Sequence, residues 1–278
     1  MLLITGADGQ LGQELRALLS ADTIFANREV LDITDKNAVK KFFSTHDIDF
    51  VINCAAYTAV DKAEDDFEAA DSVNRLGPAL LAKYGKRIIQ VSTDYVFEGT
   101  THLPYKEEDA VNPVSVYGST KLAGEEAVLA EAETAVIIRT AWLYSSYGAN
   151  FVKTMRRLGA ERDSLGVIFD QIGTPTYAAD LATAIVTILP QIKAGTKEIY
   201  HYSNEGVASW YDFAVAIMAE SGLNCAVRPL ETSEYPTKAA RPTYSVLNKA
   251  KIRRDYGLTI PHWLDGLKRC IAELKKQA

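Results

Sequence analysis

Short apolar segments alternate with amphipathic segments along the first half of the chain. The apolar segments predict strands at Leu2–Thr5, Thr23–Ala26, Phe50–Asn53, Ile88–Ser92 and Ala135–Thr140. The segments between them have helical spacing, at Gln13–Leu19, Lys36–Thr45, Asp66–Lys83 and Val116–Ala130. Such alternation is typical of an α/β fold with a parallel, doubly wound sheet. The strands of such a sheet are covered on both faces and therefore read as continuous apolar runs, as Phe50–Ile52 does.

The alternation becomes less regular after about residue 145. The later pattern predicts helices at Phe151–Gly159, Ala178–Leu189, Trp210–Ser221 and Trp263–Lys276, a strand at Ile199–Ser203, and a loop with a short strand at Arg228–Arg241. We therefore expect residues 1–145 to form a nucleotide-binding domain, joined by a later strand and helix near residues 177–203. Residues 146–278 would then form mainly a smaller substrate lobe over the carboxyl ends of the strands, where open α/β sheets bind ligands.

A glycine-rich turn follows the first predicted strand. Gly6, Gly9 and Gly12 are spaced three residues apart and lead into a helical pattern. Glycines in such a turn let backbone N–H groups approach a pyrophosphate and let the helix pack closely on the sheet, and the helix N-terminus attracts the phosphates. The turn predicts a Rossmann-like dinucleotide site, although its spacing differs from G-x-G-x-x-G and a strand–helix turn without a ligand would look similar.

Tyr117 and Lys121 lie four residues apart, so on a helix they share one face, about 6 Å apart along the axis. Asn112 is predicted to cap this helix, with Pro113 in its first turn. A nearby ammonium lowers the pKa of a tyrosine from its ordinary value of about 10. A tyrosine tuned in this way exchanges a proton with a carbonyl oxygen or an alcohol near neutral pH. Alone, the pair is weak evidence, because most such spacings are exposed helix pairs.

Hydroxyl groups end the strand predicted at Ile88–Ser92. Ser92 and Thr93 would lie at the carboxyl end of the sheet, where either hydroxyl can hydrogen-bond a substrate carbonyl beside Tyr117. Without the downstream pair, a turn capped by Ser, Thr and Asp side chains would explain these residues better. Together with Tyr117 and Lys121 they favour a catalytic interpretation.

Composition narrows the function classes. The chain has 278 residues and a formal net charge of −6, which gives no reason to expect nucleic acid and requires a local basic pocket for any anionic substrate. Cys54, Cys225 and Cys270 are widely spaced, which argues against a metal or disulfide framework and fits a reducing cytoplasm. No apolar run approaches the ~20 residues of a membrane-spanning helix, and a strand at residue 2 leaves no room for a signal peptide, so we expect no membrane partner.

Four motifs together resemble the extended short-chain dehydrogenase/reductase superfamily. They are the glycine turn, Asn53–Ala56, Ser92–Phe97 and Tyr117-x-x-x-Lys121. Further segments, spread over nearly the whole chain, are similar to the dTDP-4-dehydrorhamnose reductase family: Ala59–Glu64, Tyr117–Glu125, Arg139–Tyr144, Asp170–Thr176 and Ala240–Pro242.

The resemblance implies reduction of the 4-keto group of dTDP-4-dehydro-L-rhamnose to give dTDP-L-rhamnose, with hydride from a nicotinamide. Tyr117 would protonate the developing alkoxide, Lys121 would lower the pKa of Tyr117 and hold the nicotinamide ribose, and Thr93 would orient the carbonyl oxygen. The cofactor contacts implied are Gly6, Gly9, Gln10, Leu11, Gly12, Asn27, Arg28, Asp32, Ile33, Ala55, Ala56, Tyr57, Tyr117 and Lys121.

A dTDP-sugar is the small-molecule partner that the resemblance implies. The expected contacts to this substrate are Ser92, Thr93, Asp94, Tyr95, Trp142, Asn150, Gln171 and Arg241. Among them, Arg241 would meet the diphosphate, because a guanidinium fork suits phosphate oxygens, and Trp142 would pack on the sugar or base.

Cofactor choice depends on the end of the second strand. An acidic residue there would select NAD, whereas this chain has Asn27 and Arg28, and Arg28 suits the 2′-phosphate of NADP as well as it suits a solvated loop. We expect NADP(H), with NAD(H) tolerated. Some members of the family are magnesium-linked dimers, and Glu14 matches such an acidic position; an exposed helical glutamate is the commoner explanation, so no metal is predicted, and a homodimer is left open.

Two other functions stay open at this point. The regulatory β-subunit of methionine adenosyltransferase resembles this family but is a binding partner rather than a catalyst. Nucleotide-sugar epimerases use the same three residues, usually retain NAD tightly and carry a larger substrate lobe. Consumption of free NADPH with a 4-keto sugar nucleotide distinguishes a reductase from both.

Overall fold

The computed structural model describes residues 1–19 and 22–277. Its strands are β1 (Leu2–Thr5), β2 (Thr23–Ala26), β3 (Phe50–Asn53), β4 (Arg87–Thr93), β5 (Thr134–Thr140), β6 (Leu143–Tyr144), β7 (Ser164–Ile168), β8 (Ile172–Gly173), β9 (Thr176–Tyr177), β10 (Lys197–His201), β11 (Ala208–Ser209) and β12 (Ala226–Leu230). Its helices are α1 (Gln10–Leu18), α2 (Lys36–Thr45), α3 (Val60–Ala63), α4 (Phe67–Asp71), α5 (Gly77–Gly85), α6 (Val116–Glu131), α7 (Phe151–Glu161), α8 (Ala178–Ile188), α9 (Trp210–Ser221), α10 (Ala250–Tyr256) and α11 (Trp263–Lys276). A π-helical turn at Ser72–Leu76 joins α4 to α5.

Six parallel strands form the main sheet, in the order β10-β5-β4-β3-β1-β2. The chain moves outward from β1 to β2 and then crosses back to β3 on the other side of β1. At such a reversal the connections leave in opposite directions and open a crevice at the carboxyl ends of the strands. The predicted doubly wound, Rossmann-like sheet is confirmed, and this crevice is where it would bind a ligand.

Apolar side chains cover both faces of this sheet. Helices α1 and α8 pack on one face, through residues such as Leu15 and Ile185, against Ile52 and Ile138. Helices α2, α5 and α6 cover the other face, where Val128 is one of the buried residues. Coverage of both faces accounts for the continuous apolar character of the central strands.

A separate apolar cluster lies in the later part of the chain. Helices α7, α9 and α11 bury residues such as Met155, Phe213 and Leu267 against one another. A small parallel pair, β7 with β12, packs beside them. The sequence pattern did not indicate β7, β12 begins earlier than the short strand predicted within Arg228–Arg241, and β10 places the predicted late strand at the edge of the main sheet.

The start of α6 differs from the prediction. Ser115, not Asn112, caps this helix by accepting a hydrogen bond from the Gly118 N–H at 3.1 Å. The Asn112 N–H instead donates to the carbonyl oxygen of Val96, so this residue belongs to the preceding loop. No helix in the described part of the chain is both long and apolar enough to cross a bilayer.

Candidate active site

The glycine turn lies between the carboxyl end of β1 and the N-terminus of α1. Gly6 has a φ of 66°, and a Cβ atom there would lie 2.6 Å from the backbone nitrogen of Ala55. A Cβ atom at Gly12 would lie 2.5 Å from the carbonyl oxygen of Gly6. Among the described residues no side chain caps α1, whose N-cap is Gly9, so the first N–H groups of this helix stay free for an anion. The turn therefore fits the pyrophosphate of a dinucleotide.

A cleft of about 510 Å³ opens above this turn. The ends of β4 and β5, the first turns of α6 and the glycine turn form its walls. The wall residues that the sequence had singled out are Gly6, Gly9, Gln10, Leu11, Gly12, Ala56, Ser92, Thr93, Asp94, Tyr95, Tyr117, Lys121, Trp142 and Arg241. The fold thus brings together residues from both halves of the chain.

A second cavity, of about 240 Å³, adjoins the cleft at the glycine turn. The residues that the sequence assigned to the cofactor and that line it are Gly6, Gly9, Asn27, Arg28, Asp32, Ile33, Ala55 and Ala56. The side chain of Arg28 is 83% exposed and its Nε donates to Asp32 at 3.1 Å. This cavity fits the adenosine half of a dinucleotide, with the exposed guanidinium of Arg28 at its mouth.

Tyr117 and Lys121 are both buried on one face of α6. Burial raises the pKa of Tyr117, and a hydrogen bond with Thr93 lowers it only in part. Burial lowers the pKa of Lys121 to about 8, while the charge of Glu125 raises it. The expectation that Lys121 lowers the pKa of Tyr117 is not what the structure shows, because burial outweighs the other influences on the phenol. Tyr117 therefore holds its proton at neutral pH, as a proton donor must.

A buried ion pair lies behind these residues. Arg139 on β5 donates to both carboxylate oxygens of Glu125, at 2.7 Å from Nη2 and 3.0 Å from Nε, and both side chains are almost inaccessible. The Ser92 hydroxyl also donates to Glu125, at 2.5 Å. The hydroxyl proton of Ser92 is thus engaged by Glu125. Thr93 supplies the hydroxyl beside Tyr117. The sequence interpretation missed Glu125, although its position four residues after Lys121 places it on the same helical face.

Arg241 reaches the cleft from the later part of the chain. Its Nη2 donates to Asp61 at 2.8 Å, and its Nη1 lies 3.5 Å from the hydroxyl of Tyr95. Tyr95 in turn packs edge-on against Tyr117, with ring centroids 5.4 Å apart. The predicted substrate contacts Tyr95 and Arg241 therefore lie together beside the candidate proton donor.

Arg241 also lines a third cavity, of about 520 Å³, between α7, β7 and β12. Its wall is apolar on one side and carries Arg162, Arg228, Arg241 and Gln171. The Gln171 amide donates to Thr232 at 3.1 Å. Three guanidinium groups provide the local basic pocket that a net acidic chain needs for an anionic ligand.

Trp142 lines the cleft at the side that adjoins the third cavity. Its φ is 47°, in the left-handed region that a bulky residue rarely adopts. Its indole stacks on that of Trp210, with centroids 3.6 Å apart, and Trp210 lines both spaces. A stacked pair of indoles therefore lies where the cleft meets the third cavity.

Comparisons with known proteins agree with this geometry. A family model described as the RmlD substrate binding domain matches residues 1–276. The dTDP-4-dehydrorhamnose reductase of Aggregatibacter actinomycetemcomitans is 41% identical, over 96% of this chain and 97% of its own length. This chain belongs to the dTDP-4-dehydrorhamnose reductase family.

Two solved structures of the reductase family superpose closely on this chain. A reductase from Clostridium acetobutylicum has a TM-score of 0.93 at 43% identity, covering 99% of both chains. A reductase from Bacillus anthracis, solved in complex with NADP, has a TM-score of 0.94 at 38% identity, covering 98% of both chains.

Three residues singled out from the sequence as site candidates line none of these three cavities in this member of the reductase family. Asn150 caps α7, and its amide donates to Gln10 at 3.0 Å, so it positions a residue of the cleft wall. Tyr57 packs in the cluster around Tyr117. Glu14 is buried and accepts a hydrogen bond from Ser145 at 2.6 Å, so its interpretation as an exposed helical residue is wrong.

Proposed function

We propose that this chain reduces the 4-keto group of dTDP-4-dehydro-L-rhamnose with NADPH and forms dTDP-L-rhamnose. The position of Arg241 carries the proposal: it lines both the cleft of Tyr117 and the arginine-walled cavity. One ligand can therefore place its nucleotide in the cavity, its diphosphate at Arg241 and its sugar in the cleft. A reduced nicotinamide bound above the glycine turn supplies hydride to the sugar carbonyl.

Tyr117 is the proton donor in this proposal. Burial keeps its phenol protonated at neutral pH, and Thr93 lies within hydrogen-bonding reach of it. Thr93 and Tyr117 orient the carbonyl oxygen, and the phenolic proton moves to that oxygen as negative charge develops there. Lys121, on the same helical face, holds the nicotinamide ribose.

The linings of the cavities support the remaining assignments. NADP(H) is the cofactor, with Arg28 at the mouth of the adenosine cavity to receive the 2′-phosphate, and NAD(H) is tolerated. Trp142 packs on the sugar or base, and Gln171 lines the nucleotide cavity. The division at about residue 145, a homodimer and a cytoplasmic location stay predictions; sedimentation of the purified protein tests the homodimer.

The reaction is tested by the loss of reduced-nicotinamide absorbance with dTDP-4-dehydro-L-rhamnose, against other keto-sugar nucleotides. A reductase consumes NADPH stoichiometrically, an epimerase converts the sugar without net consumption, and a regulatory subunit does neither.

Arg241→Ala tests where the substrate binds. We expect the KM for the sugar nucleotide to rise at least about tenfold, or ~1.4 kcal/mol, while the KM for NADPH stays nearly constant. Arg241→Lys should rescue only partly, because an ammonium cannot grip two phosphate oxygens with a planar fork. A change in the NADPH constant instead, or in neither constant, contradicts this placement of the diphosphate.

A further inference from the structure

The short helix α3 is hydrogen-bonded to the segment that carries Arg241. Asp61 on α3 accepts two hydrogen bonds from that segment, Thr237–Arg241, which we call the strap. Its Oδ1 accepts from the Ala239 N–H at 3.1 Å, and its Oδ2 accepts from Arg241 Nη2 at 2.8 Å. One carboxylate thus holds both the backbone of the strap and the guanidinium at its end.

We propose that Asp61 is a positioning residue, which holds Arg241 in the geometry that receives the diphosphate of the sugar nucleotide. The proposal rests on the proposed function in one respect, the contact between Arg241 and the diphosphate. Asp61 itself lines neither the cleft nor the adenosine cavity.

Arg241 keeps hydrogen-bond donors available while Asp61 holds it. Asp61 uses Nη2, and Nη1 lies at the outer limit of a bond to Tyr95, 3.5 Å away. Among the described residues, none accepts a hydrogen bond from the buried Nε. A guanidinium presents five N–H groups, so a ligand can engage it without displacing the carboxylate.

The positioning effect has an entropic basis. A free arginine side chain samples many rotamers, and a ligand that fixes it must overcome that freedom. Asp61 and the Ala239 bond restrict Arg241 before the ligand arrives. Preorganisation of this kind strengthens binding without adding a contact to the ligand.

Repulsion between Asp61 and the diphosphate opposes this effect but is the weaker of the two. The Asp61 side chain is 45% exposed, so water and salt screen its charge, whereas that of Arg241 is 24% exposed. Loss of the Asp61 charge should therefore weaken binding of a diphosphate, not strengthen it.

The chain offers a matched control on the same strap. Lys238 pairs with Asp65, four residues beyond Asp61, and their side chains are 50% and 68% exposed. This exposed pair leaves Arg241 untouched, and such pairs contribute little. Asp65→Asn removes the same unit of charge from the same face, so it separates a general charge effect from a specific one.

The test is calorimetric titration of the NADP⁺-saturated protein with dTDP, and with thymidine as the matched ligand that lacks the diphosphate. Asp61→Asn keeps the oxygen that accepts from Ala239 but cannot accept from Arg241 at its amide nitrogen. We expect it to weaken dTDP about five- to tenfold and thymidine less than about twofold. Asp65→Asn should change neither ligand, and Asp61→Glu should restore part of the dTDP affinity.

A double-mutant cycle decides the mechanism. In the Arg241→Ala background, Asp61→Asn should have no further effect on dTDP, because the residue it positions is gone. In the reductase assay, the Asp61→Asn single variant should have a higher KM for the sugar nucleotide and a nearly unchanged kcat.

Three results would overturn the proposal: unchanged or tighter dTDP binding by Asp61→Asn, an equal loss with Asp65→Asn, or an undiminished loss in the Arg241→Ala background. If Arg241→Ala itself leaves dTDP affinity unchanged, the diphosphate contact and the role of Asp61 fail together. If the wild type does not oxidise NADPH, the proposed reaction fails, and the dTDP titrations still decide the role of Asp61.

Discussion

Lys121 donates a hydrogen bond from its ammonium to the carbonyl oxygen of Val91, at 2.7 Å. The acceptor is a neutral group on β4, so it holds the side chain at the sheet without fully compensating for the loss of water around the charge. Burial accordingly lowers the pKa of Lys121 to about 8. The residue expected to bind the nicotinamide ribose therefore titrates within the range where most enzymes are assayed.

Cofactor affinity should depend on this titration. The ammonium is a donor and a cation only below its pKa, so the fraction able to bind the cofactor falls as the pH rises through about 8. We expect the Kd of NADPH to rise about three- to tenfold between pH 7 and pH 9, measured by nicotinamide fluorescence. Lys121→Met should bind more weakly and show a flat profile, and a flat profile in the wild type would contradict the role.

Tyr117→Phe should abolish most turnover while cofactor binding persists. The substitution removes one buried hydroxyl and keeps the ring that packs against Tyr95. General acid catalysis contributes roughly 10²–10⁴-fold, and kcat should fall by that factor. Steady-state kinetics on the variant check this, with Tyr84→Phe as control, because Tyr84 lies on α5 and lines neither the cleft nor the adenosine cavity. A rate within about threefold of wild type would exclude Tyr117 as the donor.

Arg28→Ala should change the preference between cofactors. Its guanidinium stands at the mouth of the adenosine cavity and is held only by Asp32 from within the described residues. The variant lacks the guanidinium that makes a charge-assisted contact to the 2′-phosphate. Its binding free energy for NADPH should therefore weaken by about 1–3 kcal/mol, and that for NADH by much less. Titration of both nucleotides measures the difference, with Lys40→Ala on α2 as an exposed control. Equal losses for the two cofactors would identify Arg28 as a bystander.

His201 should contribute to unfolding at acid pH. It is buried on β10, and burial, followed by the charge of Arg139, lowers its pKa from 6.5 to about 3. Between these values the unfolded chain binds the proton and the folded chain does not, so the stabilisation present above pH 6.5 is lost as the pH falls toward 3. From pH 7 to pH 5 the loss from this residue should be about 2 kcal/mol.

Urea denaturation of the wild type and His201→Gln at both pH values measures this contribution. The variant should be less stable at pH 7 but should lose less on acidification. Carboxyls with raised pKa values, such as Asp94 at about 6, have the opposite dependence. The contribution of His201 is therefore the difference between the two proteins in the free energy of unfolding lost from pH 7 to pH 5. Equal losses in the two proteins would show that His201 is not the titrating group.

Local periodicity was sufficient to predict the sheet and the face of α6 that carries the chemistry. An apolar strand must be buried on both faces, and residues four apart on a helix must lie side by side, whatever the rest of the chain does. The glycine turn belongs only partly to the same class: Gly12 lies against Gly6 within one β–α unit, whereas Gly6 lies against Ala55, which follows β3. Capping was less predictable: Asn112 and Ser115 are both suitable caps, and packing of the preceding loop on Val96 decided between them.

The partners of the charged groups were decided only by the tertiary structure. Asp61 and Arg241 are 180 residues apart in sequence, and Ser92 and Glu125 are 33 apart, so no periodic pattern relates them. The pKa of Tyr117 depends on tertiary packing for the same reason, because helical spacing shows the neighbouring ammonium but not the burial that raises this pKa. The sequence by itself determined which residues share a strand or a helical face, since that depends on backbone geometry alone. Which charges meet across the cleft, and how far water is excluded from them, depended on how the separate elements pack.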